Sequence, residues 1–183
     1  MEKNIKRLAY VVIISTLIVS IFKIYKLNNE YPIRHEKYID LNETAKLDGD
    51  IYMTIKNIEI PSDKEKKELY EKCELETEHI VKNVLVSVEL ENKSTKEAEY
   101  ELYKLYIETS HNKVNGIIME LFFELNDCDM ILKIPAKDKK EVVLPYEITD
   151  DMLSVDEGRN INGEGMYLVM KRYPIKEFWK LHS

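Results

Sequence analysis

The sequence predicts a mainly β protein: an antiparallel β-sandwich with one or two short helices, preceded by an N-terminal transmembrane helix. Two observations predict the sandwich. In stretch after stretch apolar residues alternate with polar ones, the period of a strand buried on one face. These stretches also follow one another without long helical patterns between them, which favours antiparallel sheets over βαβ units. A third observation, an uncharged run from Leu8 to Phe22, predicts the helix.

That run is flanked by Lys3, Lys6 and Arg7 before it and by Lys23 and Lys26 after it. From Leu8 to Phe22 a helix reaches about 22 Å, short of the roughly 30 Å hydrocarbon layer. If Lys23 and Lys26 snorkel outward, residues 8–27 reach about 30 Å and span it. The rival reading is a cleaved signal peptide; against it, the segment "VSIFKIY" that follows is bulky and offers no small-x-small cleavage site. The one-charge excess on the N-terminal side favours a cytoplasmic tail. The expected organisation is therefore a tail and transmembrane anchor over 1–27, a linker over 28–35 in which Pro32 stops the helix, and a β-sandwich domain over 36–183 on the extracytoplasmic side.

Composition agrees with a globular body. Apolar residues make up 44% of the 183, too many for a disordered chain. Residues 1–30 carry net charge +3 and the rest −10. Such an acidic body repels phosphate backbones and argues against nucleic acid as a partner. Lysine outnumbers arginine 23 to 4, a bias of AT-rich coding that points to a bacterium.

Along the body, "IYMTIKNIEI" places Ile51, Met53 and Ile55 on one face and then shifts phase to Ile58 and Ile60, as a bulge near Asn57 would make it do. In "NVLVSVELENKS", Val84, Val86, Val88 and Leu90 form an inner face opposite Leu85, Ser87, Glu89 and Glu91, and Asn92 to Ser94 read as a turn. The tyrosine-dense "AEYELYKLYIET" reads as a strand with Tyr100, Leu102 and Tyr106 on one face and Tyr103, Leu105 and Ile107 on the other. "EVVLPYEI" alternates Val142, Leu144, Tyr146 and Ile148, and "GMYLVMKRY" alternates Met166, Leu168 and Met170. Two helices interrupt the pattern. "SDKEKKELYEKCELE" opens with the capping box of Ser62 and Glu65 and has so few apolar positions that it reads as a solvated surface helix. "GIIMELFFEL" groups Ile117, Ile118, Leu121, Phe122 and Leu125 on one helical face; a buried strand is the alternative, a short helix at one end of the sandwich the preferred reading.

The stretch "VKNVLVSVELENKSTKEAEYELYKLYIET", the opening "YIDLNETAKLDGDIYMTIKNIEI", the turn and strand "IPAKDKKEVVLPYEI" and the closing "MYLVMKRYPIKEFWKL" resemble a pattern of uncharacterised, membrane-anchored proteins of Gram-positive bacteria whose ectodomain is immunoglobulin-like, or telokin-like, and is a domain of unknown function. The likeness covers roughly residues 36–180. It implies an immunoglobulin-like sandwich behind a membrane anchor and brings no catalytic residues. The chain departs from the pattern in having no lipidation cysteine and in having Ala136 rather than glycine after Pro135.

Residue by residue, the chemistry is sparse. His35, His79, His111 and His182 form no metal-ligand spacing. There is no phosphate-cradling glycine loop and no nucleophile elbow. The acidic segment "DDMLSVDEGRNINGEG", with Asp150, Asp151, Asp156, Glu157, Asn160, Asn162 and Glu164, resembles a calcium loop only loosely, because its first position is Asn and its twelfth is Lys171. No catalytic, cofactor-binding or metal-binding residue is expected, and no cofactor. Cys73 and Cys128 are the only cysteines; outside the cytoplasm such a pair leaves a disulfide open. Tyr100 and Tyr106 are the candidate ligand-facing side chains, since aromatic strands serve as binding faces as well as cores. The expectation is a non-enzymatic, extracytoplasmic binding or accessory protein of a bacterial cell membrane, single-pass through residues 8–27, with another envelope protein or a peptide as partner. An immunity- or transporter-associated protein acting through membrane partners is the alternative, and an enzyme with an unrecognised site the third.

Overall fold

The computed structural model describes residues 2–30, 35–110, 112–152 and 165–181. The chain divides into two compact units, Met1–His35 and Glu36–Ser183. The first holds one long helix, α1 (Glu2–Glu30), which continues three residues past the expected end of the anchor at 27. Its described side chains from Ile13 to Leu27, and Tyr10, are exposed. Among the described residues no helix is long and apolar enough to cross a membrane; the side chains of 2–9, 11, 12 and 28, which include part of the expected 8–27 span, lie outside them.

The second unit is a β-sandwich. Its elements run β1 (His35–Ile39), β2 (Ala45–Lys46), β3 (Ile51–Glu59), α2 (Asp63–Lys72), β4 (Ile80–Asn92), β5 (Ala98–Glu101), β6 (Tyr106–Thr109), β7 (Val114–Asn115), α3 (Met119–Leu125), β8 (Ile131–Ile134), β9 (Lys139–Thr149), β10 (Met166–Lys171) and β11 (Ile175–Leu181). Three sheets result: five strands ordered β1-β11-β10-β6-β7, four ordered β2-β3-β4-β9, and the pair β5-β8. The described ladders are antiparallel.

Alternation explains the four-stranded sheet. Val84, Val86, Val88 and Leu90 are all buried on one face of β4. Their neighbours across the ladder, Tyr146, Leu144 and Val142 of β9 and Ile55 and Met53 of β3, point the same way, as antiparallel register requires. The expected bulge is present, with the register slipping between Ile55 and Asn57. One continuous core joins this face to Leu168, Trp179 and Leu181 of the five-stranded sheet and to Tyr100 and Leu132 of the pair.

The stretch 98–109 is not one strand, as its composition suggested. A turn of 3₁₀ helix at Leu102–Lys104 separates β5 from β6 and carries the chain from one sheet to another. The cause is the spacing of Leu102 and Leu105, both buried: three residues apart, they point to opposite faces of a strand but to one side of a 3₁₀ turn. Tyr103, on the outside of that turn, is exposed. A further strand, β11, escaped the alternation rule because Phe178 and Trp179 are adjacent and both buried.

Of three local features, α3 agrees with the pattern while α2 and Asn92 turn out differently. α2 has the expected capping box, with Ser62 and Glu65 bonding each other's backbone N–H, but it is not merely solvated. Tyr70 is fully buried; its hydroxyl donates to Glu147 Oε1 at 2.7 Å and accepts from Asn83 Nδ2 at 2.9 Å. α3 forms where a helix was preferred, with Leu121 and Phe122 inward. Asn92, expected in a turn, is the buried last residue of β4. Its Nδ2 donates to the carbonyls of Lys96 (2.8 Å) and Ile134 (2.9 Å), and its Oδ1 accepts from Ser94 N–H at 2.9 Å. A short polar side chain thus satisfies backbone groups of the following loop and of the end of β8.

On the outer face of β4, Glu89 lies between Lys139 (3.0 Å) and Lys56 (3.3 Å). The hydrogen bond from Lys139, followed by that from Lys56, holds its carboxyl below the usual range. A depressed folded-state pKa gives stability that is present above the unfolded value, about 4.3, and is lost as pH falls through the folded one. Glu89→Gln is therefore expected to shrink the difference in unfolding free energy between pH 7 and the acid range below ~4. Urea titrations at both pH values check it; an unchanged difference excludes the linkage.

Candidate functional site

Residues of all three sheets line one cleft. Lys37 of β1, Met170 and Lys171 of β10 and Glu177 of β11 come from the five-stranded sheet. Lys46 of β2 and the following Leu47 and Asp48 come from the four-stranded one, and Tyr100 of β5 comes from the pair. The cleft measures about 300 Å³, at the small end of ligand sites.

Tyr100 is buried. Burial, and after it the charge of Asp48, pushes its phenol well above the ordinary tyrosine value, so the hydroxyl keeps its proton and can donate. Leu47 and Met170 supply apolar wall. The two carboxylates are already engaged: Glu177 by Lys37 at 3.5 Å and Asp48 by Lys104 at 2.9 Å. Lys104 also reaches Glu101 at 3.0 Å, and its ammonium is held above the usual range, chiefly by its bond to Asp48. Lys46 makes an exposed pair with Asp50 at 3.3 Å and lies 5.8 Å from the ring centre of Tyr52. Lys171 has no carboxylate partner among the described residues.

Of the two tyrosines singled out by sequence, the cleft contains one. Tyr106 lies on β6, in a different sheet from Tyr100, with the Arg172 guanidinium 5.9 Å from its ring centre. Lys37, Lys46 and Lys171 are not legible as site residues; Lys171 lies 125 positions beyond Lys46, and no local pattern links the three. Three larger clefts are more open, one of them, near 360 Å³, beside Tyr70 and Leu75. One, near 420 Å³, runs past Cys128 and Asn126 beside β9. Another, near 370 Å³, is walled by Glu76, Glu78, Glu120 and Glu147, with His79 at 3.5 Å from Asp150.

Cys73 and Cys128 are both free thiols and half-buried; burial raises the pKa of each, which makes them poor nucleophiles. His35 opens β1. His111, His182 and Asp156, Glu157, Asn160, Asn162 and Glu164 of the acidic segment lie outside the described residues. Among the described residues no three His, Cys, Asp or Glu side chains are grouped to hold a metal.

A family defined as a domain of unknown function, DUF5028, matches residues 23–177. The chain belongs to the DUF5028 family. All eight residues lining the Tyr100 cleft, from Lys37 to Glu177, fall within the DUF5028 match. Three solved structures are similar. The yjhA protein from Bacillus subtilis is 14% identical, covering 78% of this chain and 98% of that one, with a TM-score of 0.48. An uncharacterized β-sandwich protein from Clostridium difficile is 12% identical, covering 80% and 95%, with a TM-score of 0.43. A conserved hypothetical protein from Bacillus anthracis is 12% identical, covering 76% and 93%, with a TM-score of 0.46. No curated protein matches the chain.

Proposed function

We propose that this DUF5028 chain is a membrane-anchored binding protein, not an enzyme, whose immunoglobulin-like sandwich stands outside a bacterial cell membrane and holds a small ligand in the Tyr100 cleft. The observation that carries the reading is the convergence of all three sheets on a cleft where a buried tyrosine, apolar wall and lysines face one space. Binding sites of this kind pair a mostly preformed cavity with a few placed polar groups. The anchor is supported by the uncharged run from Leu8 to Phe22 behind a basic tail and by a helix over Glu2–Glu30 whose described apolar side chains lie exposed. Lipid is the medium that would cover them. A purely receptive role fits a site with donors and cations but no nucleophile paired with a base.

Topology is the direct test. Protease added to intact cells is expected to digest residues 36–183 while a cytoplasmic marker survives. Survival of that unit until the cells are lysed would refute the extracytoplasmic placement.

A further inference from the structure

We infer that the ligand of this cleft is a small anion carrying one carboxylate or phosphate monoester group, received by Lys46 and Lys171 and by the hydroxyl of Tyr100. The inference rests on the cleft being the binding site, as proposed above, and adds the charge of what enters it.

The argument is one of available partners. Of the five charged side chains lining the cleft, three are lysines and two are acids. Both acids already have a lysine within reach, Glu177 with Lys37 and Asp48 with Lys104 at 2.9 Å, a closer contact than the 3.3 Å of Lys46 and Asp50, so a cationic ligand would compete with a resident lysine at either acid. The cations are less committed. Lys171 has no carboxylate partner among the described residues. Lys46 has a solvated pair with Asp50, each side chain more than half exposed, and a distant contact with the Tyr52 ring at 5.8 Å; exposed pairs of this kind are worth little. Buried Tyr100 adds a donor that stays protonated. One ammonium without a carboxylate partner, a second held by a solvated pair and a phenol are donors that an anion can engage.

The setting sharpens the contrast. The body outside residues 1–30 carries net charge −10, and the cleft beside Glu147 is walled by four glutamates with one histidine. Against this acidic surface the lining of the Tyr100 cleft has a small excess of lysines over acids, which favours an anion over a cation there. Leu47 and Met170 leave room for a short apolar portion, and about 300 Å³ limits the whole to a compact molecule. An anionic headgroup of a lipid and a free phosphate ester present the same chemistry.

The test follows the Met170 methyl and Tyr100 ring signals of the labelled full-length protein by NMR, in an uncharged detergent. Glycerol 3-phosphate is titrated against glycerol and choline. Saturable shifts at both residues with glycerol 3-phosphate alone are expected, weakening as salt rises, with at least a tenfold loss of affinity in the Lys46→Glu, Lys171→Glu double variant. Both lysines are exposed, and an unchanged amide spectrum confirms that the variant is folded. A parallel arm places the protein in phosphatidylglycerol or phosphatidylcholine nanodiscs: shifts with the first lipid alone identify a headgroup as the source, and shifts only with the free ester identify a soluble one. Shifts from glycerol or choline of equal size overturn the anion while leaving the cleft as the binding site. No shift at Met170 or Tyr100 with any probe overturns the anion and the cleft together.

Discussion

Val86→Asp is expected to leave residues 36–183 unfolded at room temperature. Val86 is fully buried at the middle of β4, between Ile58 of β3 and Leu144 of β9. Both neighbouring strands occupy its hydrogen-bonding edges, so the side chain cannot turn outward without a register slip. A slip of one residue would bring Leu85, Ser87 and Glu89 into the core and send Val84, Val88 and Leu90 into water. The carboxylate must then be buried without a partner, or be protonated, at a cost of several kcal/mol. Domains of this size have only about 5–15 kcal/mol in total. Val86→Ala serves as the graded companion: losing two methyl groups with partial collapse of the cavity costs about 2 kcal/mol and leaves the fold intact. Far-UV circular dichroism and urea titration check both. A native β spectrum and an unchanged midpoint for Val86→Asp would mean that β4 is not the centre of the core.

The reasons some of this was legible in sequence and some was not are physical. β3, β4 and β9 were readable because each has one wet and one dry face, so period-two alternation survives along most of their length. The bulge at Asn57 was readable as a change of phase in the same signal. The break at Leu102–Lys104 was not, because a 3₁₀ turn and a strand use similar residues and differ in whether Leu102 and Leu105 share a side. Asn92 reads as a turn residue because Asn before Lys-Ser favours one; its burial follows from acceptors at Lys96, Ile134 and Pro135 that only the tertiary fold assembles. Tyr70 reads as solvated on a helix of charged residues and is buried because Glu147 and Asn83 lie opposite it. The same holds for the cleft. Tyr100 stood out as part of an aromatic run, but Lys46 and Lys171 are 125 positions apart and become a pair of cations only where β2 and β10 end at the same rim.

Lys176→Met is expected to destabilise the second unit by about 3–5 kcal/mol. Lys176 on β11 and Glu108 on β6 flank the intervening β10, and both are almost fully buried. The Nζ of Lys176 donates to Glu108 Oε1, lies 3.7 Å from Glu36, and sits 5.1 Å and 5.8 Å from the ring centres of Phe178 and Tyr167. Two strands that never touch are thus joined over the top of a third. The size of the effect comes from what the substitution leaves behind rather than from what the pair contributes. Glu108 has one oxygen, Oε2, that is already buried without a hydrogen bond; deprived of Lys176, its whole carboxylate is an uncompensated charge among Tyr167 and Phe178. Removing that charge as well should reverse most of the loss, because an apolar pair of similar volume avoids the desolvation of both ions. The Lys176→Met, Glu108→Leu double variant is therefore expected to be much more stable than the sum of the two single changes predicts, with a coupling of roughly 2 kcal/mol or more in a double-mutant cycle. Urea unfolding of the four proteins measures it. Additive losses would show that the two side chains act independently, and a cost below about 1 kcal/mol for Lys176→Met alone would show that the site admits water.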